Sequence, residues 1–147
     1  MGAGVVFVDS ANRVLLVKPT YKPTWELPGG AVEDHESPRA AATREVREEL
    51  GLEIEVGPML CVDYNATTAD YLESLMFLFA GPALTAEQEA SIRLPHDELS
   101  DWRWCEMHEA QQLLADRVSR RLSACVDSDG PSRGAYLEEQ TATTSID

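Results

Sequence analysis

The chain reads as an α/β protein in which a mixed β-sheet lies between helices. Three observations predict this class: β-branched and aromatic runs at 3–8, 13–18 and 75–79, an alanine-rich helix bounded by Ser37 and Gly51, and a second amphipathic stretch at 110–122. Strands interrupted by two well-separated helices bury their apolar faces best when the helices cover the sheet.

Taken in order, the runs 3–8 and 13–18 flank Asp9-Ser10-Ala11-Asn12 and predict a hairpin. Trp25-Glu26-Leu27 predicts a short strand that delivers the chain to Pro28-Gly29-Gly30, a turn with minimal side chains where a ligand can approach the backbone. In the helix that follows, Ser37 suits the N-cap, Pro38 the first helical position and Gly51 the position just past the end. Ala42, Val46 and Leu50 form a buried stripe on the helical wheel, with Arg44 and Arg47 on the other side.

Beyond the helix, Glu53-Ile54-Glu55-Val56 through Leu60-Cys61-Val62 and the run 75–79 read as strands, and 82–100 as a loop-rich stretch. Trp102-Arg103-Trp104-Cys105 alternates like a short strand, and Leu113, Leu114, Val118 and Leu122 mark one face of the second helix. Asp, Ser, Gly, Pro and Thr dominate from Val126 onward. The expected organisation is one domain, 1–125, followed by a flexible acidic tail, 126–147.

A length of 147 residues suits one domain, large enough to bury about two-thirds of its unfolded surface. Twelve basic and twenty-six acidic residues give a formal charge of −14, which repels nucleic-acid backbones and anionic membranes. That argues against a nucleic-acid polymer or a membrane as partner. It also implies that a polyphosphate would need accompanying cations. Cys61, Cys105 and Cys125 are odd in number and widely spaced, which predicts reduced packing thiols and a cytoplasmic protein. The stretch 1–8 lacks a basic leader and meets Asp9 too early for a signal peptide.

Glu45, Glu48 and Glu49 stand at i, i+3 and i+4 just before Gly51, so their carboxylates share one face of the last helical turns. Anions at a helix C-terminus oppose the helix dipole by a few tenths of a kcal/mol each. Beside a packed stripe the cost grows, because two carboxylates about 6 Å apart repel by roughly 3 kcal/mol at an effective dielectric near 20. A cation is expected there. Carboxylates without His or Cys neighbours favour Mg²⁺, with Mn²⁺ as a substitute.

The wider pattern is a glycine, Gly30, five residues, Glu36, seven residues, then Arg44-Glu45-Val46-Arg47-Glu48-Glu49-Leu50-Gly51-Leu52. It resembles the Nudix box of the MutT-like hydrolases at every defined position. The resemblance covers about 3–122 and implies an α/β/α sandwich and hydrolysis of a nucleoside diphosphate linked to another moiety, with Mg²⁺ as cofactor and a nucleotide-type small molecule as substrate. It implies Glu45, Glu48 and Glu49 as metal ligands, joined by the Gly29 carbonyl, with Glu48 or Glu49 also a candidate for activating water. Gly30, Glu36 and Arg44 are implied as structural supports. Relatives often recruit a further acid from a later loop, for which Glu98 and Asp101 are the candidates.

Arg13 and Lys18 are candidates for meeting phosphate, and Trp25, Tyr21, Tyr64 or Tyr71 for stacking on a base. His35 replaces the glycine common before Glu36, so that either a positive-φ turn is occupied by a bulkier residue or the turn differs. The first strand begins almost at Met1, which leaves an edge strand to be missing or supplied by a partner chain, and a homodimer open. Thr67 stands where enzymes acting on ADP-ribose often have proline, and Tyr71 falls just outside the spacing common in those acting on dinucleoside polyphosphates. By elimination the reading leans to a nucleoside-triphosphate pyrophosphohydrolase releasing monophosphate and pyrophosphate. ADP-ribose, nucleotide-sugar or dinucleoside polyphosphate hydrolysis, or a non-catalytic nucleotide-sensing module, are the alternatives.

Overall fold

The structure, a computed structural model, describes residues 1–127, 130–131 and 134–143. Its strands are β1 Gly2–Val6, β2 Val14–Pro19, β3 Gly29–Ala31, β4 Met59–Asn65, β5 Ser74–Ala80, β6 Leu99–Cys105, β7 Val126–Asp127, β8 Gly130–Pro131, β9 Ala135–Glu138 and β10 Thr141–Ala142. The helices are α1 Pro38–Leu50, α2 Ala86–Ala90, α3 Met107–Leu113 and α4 Asp116–Cys125. Six strands form the main sheet in the order β10-β9-β4-β5-β1-β3, while β2 and β6 make a separate antiparallel ribbon. The main sheet is mixed: β1 runs parallel to β5 and β4 to β9, and its other pairings are antiparallel.

Strand alternation divides the core into two layers. Ala3, Val5 and Phe7 point to one side, where they pack with Ala41, Ala42, Val46 and Leu50 of α1. Val6 points to the other side, toward Leu122 and Cys125 of α4 and Ala110 of α3. The ribbon obeys the same rule, with Leu15 and Val17 in the first layer and Val14 and Leu16 in the second. Each fully buried aliphatic side chain contributes about 1.5–3 kcal/mol of transfer free energy, so the layers, rather than helix propensity, hold α1 and α4 in place. The result is the α/β/α sandwich expected.

The structure corrects several local expectations. Residues 3–8 and 13–18 do approach across the Asp9 turn, where Leu15 N–H donates to the Phe7 carbonyl at 3.2 Å. Beyond that turn they separate into the main sheet and the ribbon instead of continuing as a hairpin. Gly29 and Gly30 lie in β3 rather than in a free turn. Residues 53–56 form no strand. The stretch 82–100 contains α2, which is fixed by a reciprocal capping box between Thr85 and Gln88.

The single helix expected at 110–122 is two helices. Leu114 is extended and buried, and the preceding Leu113 carbonyl accepts the Trp25 N–H at 2.9 Å. This tertiary bond, with no Gly or Pro at the break, left no signal in the periodicity.

The described part of the tail is also structured. β9 pairs parallel with β4, and Leu137 is fully buried. Gln140 N–H donates to Asp63 Oδ1 at 3.0 Å inside a buried group completed by Asn65 and Arg121. A boundary at 125 therefore leaves a strand of the main sheet outside the domain; residues 128–129, 132–133 and 144–147 of that tail lie outside the described residues. Cys61 and Cys125 are joined as a disulfide between β4 and the end of α4, and only Cys105 is free and buried, which corrects the expectation of three thiols. Their separation of 64 residues hid the pairing from spacing arguments.

Leu137→Ala tests the docking of β9. Removing a fully buried Leu is expected to lower unfolding free energy by about 2–5 kcal/mol in urea titration, whereas a mobile tail would give no change.

Candidate active site

Helix α1 carries the acidic group, and its ends are marked as local chemistry requires. Ser37 Oγ accepts the Ala40 N–H at 3.1 Å, and Gly51 at φ 68° donates its N–H to the Arg47 carbonyl at 3.0 Å. The preceding loop contains His35 at φ 63°, so the positive-φ turn is kept with a full side chain in place of glycine.

The two glycines of β3 bring the backbone against the glutamates. A Cβ on Gly30 would lie 2.4 Å from Glu45 Oε1, so only glycine lets that carboxylate rest on the strand. Gly29 has φ 153°, and a Cβ there would meet the Ala3 carbonyl oxygen at 2.4 Å. The Gly29 N–H donates to Glu49 Oε2 at 2.9 Å.

Arg44 organises the rest, and its side chain folds over the acids instead of pointing away. Its Nε and Nη2 donate to both oxygens of Glu36 at 2.9 and 3.0 Å. Nη1 donates to Glu45 Oε1 at 2.9 Å and Glu48 Oε2 at 3.1 Å, and Nη2 also reaches the Ala31 carbonyl at 3.0 Å. The hydrogen bonds from Arg44 hold the Glu36 carboxyl below its usual range, and those to Glu36 and Glu45 raise the pKa of Arg44 itself.

Glu49 stands apart. It is 9% exposed, and among the described residues its side chain is hydrogen-bonded only to the neutral Gly29 N–H. Burial, aided by the charges of Glu45, Glu26 and Glu98 against the pull of that N–H, pushes its carboxyl up to about 8. Glu45 is raised as well, chiefly by burial and then by Glu48 and Glu98, with Arg44 opposing.

Glu98, from the loop before β6, is thus brought into the field of the helix acids, and so is Glu26, which sequence reasoning missed. Asp101 is not: it accepts the Trp102 N–H at 2.8 Å and borders a different hollow with Arg93 and His96. Arg13 is held by Asp9 at 2.7 Å, and Lys18 Nζ donates to the Lys22 and Pro19 carbonyls at 2.5 and 3.3 Å. Trp25 has the Arg103 guanidinium over its ring at 4.6 Å and packs against the α3–α4 layer. None of Arg13, Lys18, Trp25, Tyr21, Tyr64 and Tyr71 borders the cavity beside the acids.

That cavity, of about 260 Å³, is bordered by Glu26, Leu27, Gly29 and Gly30 on the acidic side and by Met76 and Arg121 farther in. It lies at the small end of ligand pockets, roughly 300–1,000 Å³, and suits one compact moiety. Arg121 and Met76 gave no local signal, since only the register of β5 and the phase of α4 turn them inward.

Among the described residues, no three His, Cys, Asp or Glu side chains converge as a ready metal cage. Glu45 and Glu48 are turned to Arg44. The donor chemistry nevertheless fits a hard divalent ion: the acids offer oxygen alone, and Glu49 is a buried carboxyl with no cationic side chain bonded to it among the described residues, so a cation would favour its ionised form. No helix among the described residues is long and apolar enough to cross a membrane.

Residues 1–124 match the family model described as the NUDIX domain. The chain is 30% identical over 129 residues to a MutT-like protein of Streptomyces ambofaciens, covering 88% of this chain and 77% of that one. It is 31% identical over 123 residues to an RNA pyrophosphohydrolase of Dinoroseobacter shibae, covering 70% and 74%. The crystal structure of a MutT NUDIX hydrolase from Burkholderia pseudomallei superposes with a TM-score of 0.66 at 27% identity, covering 80% of this chain and 90% of that one. The family match and these likenesses define an enzyme acting on phosphoric anhydrides. The chain belongs to the NUDIX family.

The raised Glu49 carboxyl sets a pH dependence. Between its ordinary value of 4.5 and about 8 the folded state binds more protons than the unfolded state, so unfolding free energy falls as pH rises through that window. Calorimetric melting in chelator from pH 5 to 8.5 is expected to show this fall, and Glu49→Gln to flatten it.

Proposed function

We propose that the protein is a Mg²⁺-dependent hydrolase of a nucleoside diphosphate linked to another group, with nucleoside triphosphates, cleaved to monophosphate and pyrophosphate, as preferred substrates. The observation that carries the reading is the buried Glu49 carboxyl, hydrogen-bonded among the described residues only to the Gly29 N–H and lying in the field of Glu26, Glu45 and Glu98, of which Glu26 borders the cavity. An acid cluster of this kind is costly to keep ionised unless a cation joins it.

Glu45, Glu48, Glu49 and the Gly29 carbonyl would hold the cation, Mg²⁺ or in its place Mn²⁺. When bound, it supplies charge neutralisation for the phosphate oxygens and a lowered pKa for water. The chain's residues do the rest. Gly29 N–H orients Glu49, and Gly30 leaves room for Glu45 against the strand. Arg44 positions Glu45 and Glu48 and is in turn fixed by Glu36.

Water attacks phosphorus, the phosphoanhydride P–O bond breaks, and the water proton passes to a carboxylate, for which Glu48 and the exposed Glu98 are the candidates. The formal charge of −14 favours a small, cation-escorted substrate over a nucleic-acid polymer.

A panel of nucleoside triphosphates, nucleotide sugars, ADP-ribose and dinucleoside polyphosphates, assayed with Mg²⁺ and again with chelator, tests the proposal. Triphosphate turnover is expected to vanish with chelator and to fall about 100-fold or more in Glu48→Gln and Glu49→Gln. Turnover without metal, or undiminished activity in both variants, would defeat it. Tight nucleotide binding with no product would instead point to a sensing module.

A further inference from the structure

The sheet face beneath α4 passes from empty to full along a single row. Ala31, Gly2, Met76, Asp63 and Leu137 are cross-strand partners in turn over β3, β1, β5, β4 and β9. At the glycine end nothing fills the space under the helix, and the cavity remains, with Met76, Leu78 and Val118 as apolar walls. At the other end stands a buried charge pair.

Arg121 joins the two ends. Its Nε donates to Asp63 Oδ2 at 2.8 Å and its Nη2 to Asn65 Oδ1 at 3.1 Å. Gln140 completes the network, with Nε2 donating to Asp63 Oδ2 at 3.1 Å and Asn65 Oδ1 at 2.9 Å. The guanidinium is thereby fixed in direction. Arg121 is 5% exposed and borders the cavity, yet its Nη1 makes no hydrogen bond among the described residues. A guanidinium only donates, so whatever completes Nη1, water or a group carried by the cavity's occupant, must be an acceptor.

The surroundings select the kind of acceptor. Asp63 neutralises the guanidinium and Glu26 faces the same space, which disfavours an anion as occupant. Apolar walls would strip water from a phosphate or a polyol without replacing its hydrogen bonds. A planar heterocycle instead offers two apolar faces to the walls and acceptors at its edge.

We infer that Arg121 is the specificity-determining residue of this enzyme: Nη1 donates to a ring carbonyl of the substrate's base, so keto-bearing bases are preferred over those with an exocyclic amine at that position. An amine there would set N–H against N–H, leaving both donors unpaired. The inference rests on the nucleotide reading above and deepens it.

The test compares kcat/KM, with Mg²⁺ present, for inosine against adenosine 5′-triphosphate and for uridine against cytidine 5′-triphosphate. Within each pair the sugar and phosphates are shared. The keto member of the better-used pair is expected to lead by tenfold or more. Arg121→Lys retains a charge for Asp63 but has one nitrogen, and Asp63→Asn combined with Arg121→Met removes both charges together. In each the ratio is expected to fall within threefold of unity. A merely structural Arg121 would lower both members alike, and an unchanged ratio in a folded variant overturns the assignment.

A wild-type ratio near one, with nucleotides hydrolysed, overturns this inference and leaves the proposed reaction standing. No hydrolysis of any nucleotide overturns both. Should neither variant fold, the wild-type ratios still decide.

Discussion

The acidic region depends on the Arg44 guanidinium. One planar group, 15% exposed, bridges Glu36 in the loop before α1, Glu45 and Glu48 within α1, and the Ala31 carbonyl at the end of β3. Without it, carboxylates would crowd the end of a helix whose dipole already disfavours them. Partial burial makes these bonds firmer than those of an exposed pair, because less water competes for the same donors. Glu49 lies outside its reach and has a backbone amide instead. The site therefore separates acids that the Arg44 guanidinium offsets from one that it does not, and on the proposed reading the latter is where an external cation would join.

Small residues make that arrangement compatible with a packed sheet. Gly30 lets Glu45 touch the strand on one side of the sheet, while Gly2 makes room on the other for Met76, whose Sδ a Cβ there would meet at 2.7 Å. The end of the sheet nearest the box is thus thin, with acids on one side and a cavity on the other. Toward β9 the same face fills with Asp63, Leu137 and Arg121. On the proposed reading, reaction chemistry and recognition of the remaining moiety share one small domain across a strand that carries almost no side chains.

Legibility in the sequence followed locality. The helix from Pro38 to Leu50, its cap residues and the buried Ala42-Val46-Leu50 stripe arise from contacts within about twenty residues, and spacing alone carried them, whereas the helical wheel turned Arg44 away from the acids it in fact bonds. Features decided across longer distances were not visible. The Trp25–Leu113 bond that splits the second helix, the Cys61–Cys125 link, and the capture of Gln140 by Asp63 join residues 64 to 88 positions apart. Trp25 is covered by Arg103, 78 positions away, which a one-dimensional pattern does not show, whereas the partners of Arg13 and Lys18 lie only four residues off, in Asp9 and Lys22. Arg121 was hidden for another reason: in a helix rich in arginine, only the register of β4 beneath it distinguishes a buried one.

The ribbon of β2 and β6 lies apart from the main sheet, and it carries both acids that approach α1 from outside. Glu26 exchanges backbone hydrogen bonds with Val17 at 2.8 and 2.9 Å, and the Glu98 carbonyl accepts the Thr20 N–H at 2.9 Å. Both acids are thus anchored to one ribbon, whose Val14, Leu15, Leu16 and Val17 are buried in the two core layers, so the negative charge that approaches α1 from outside is placed by the packing of β2.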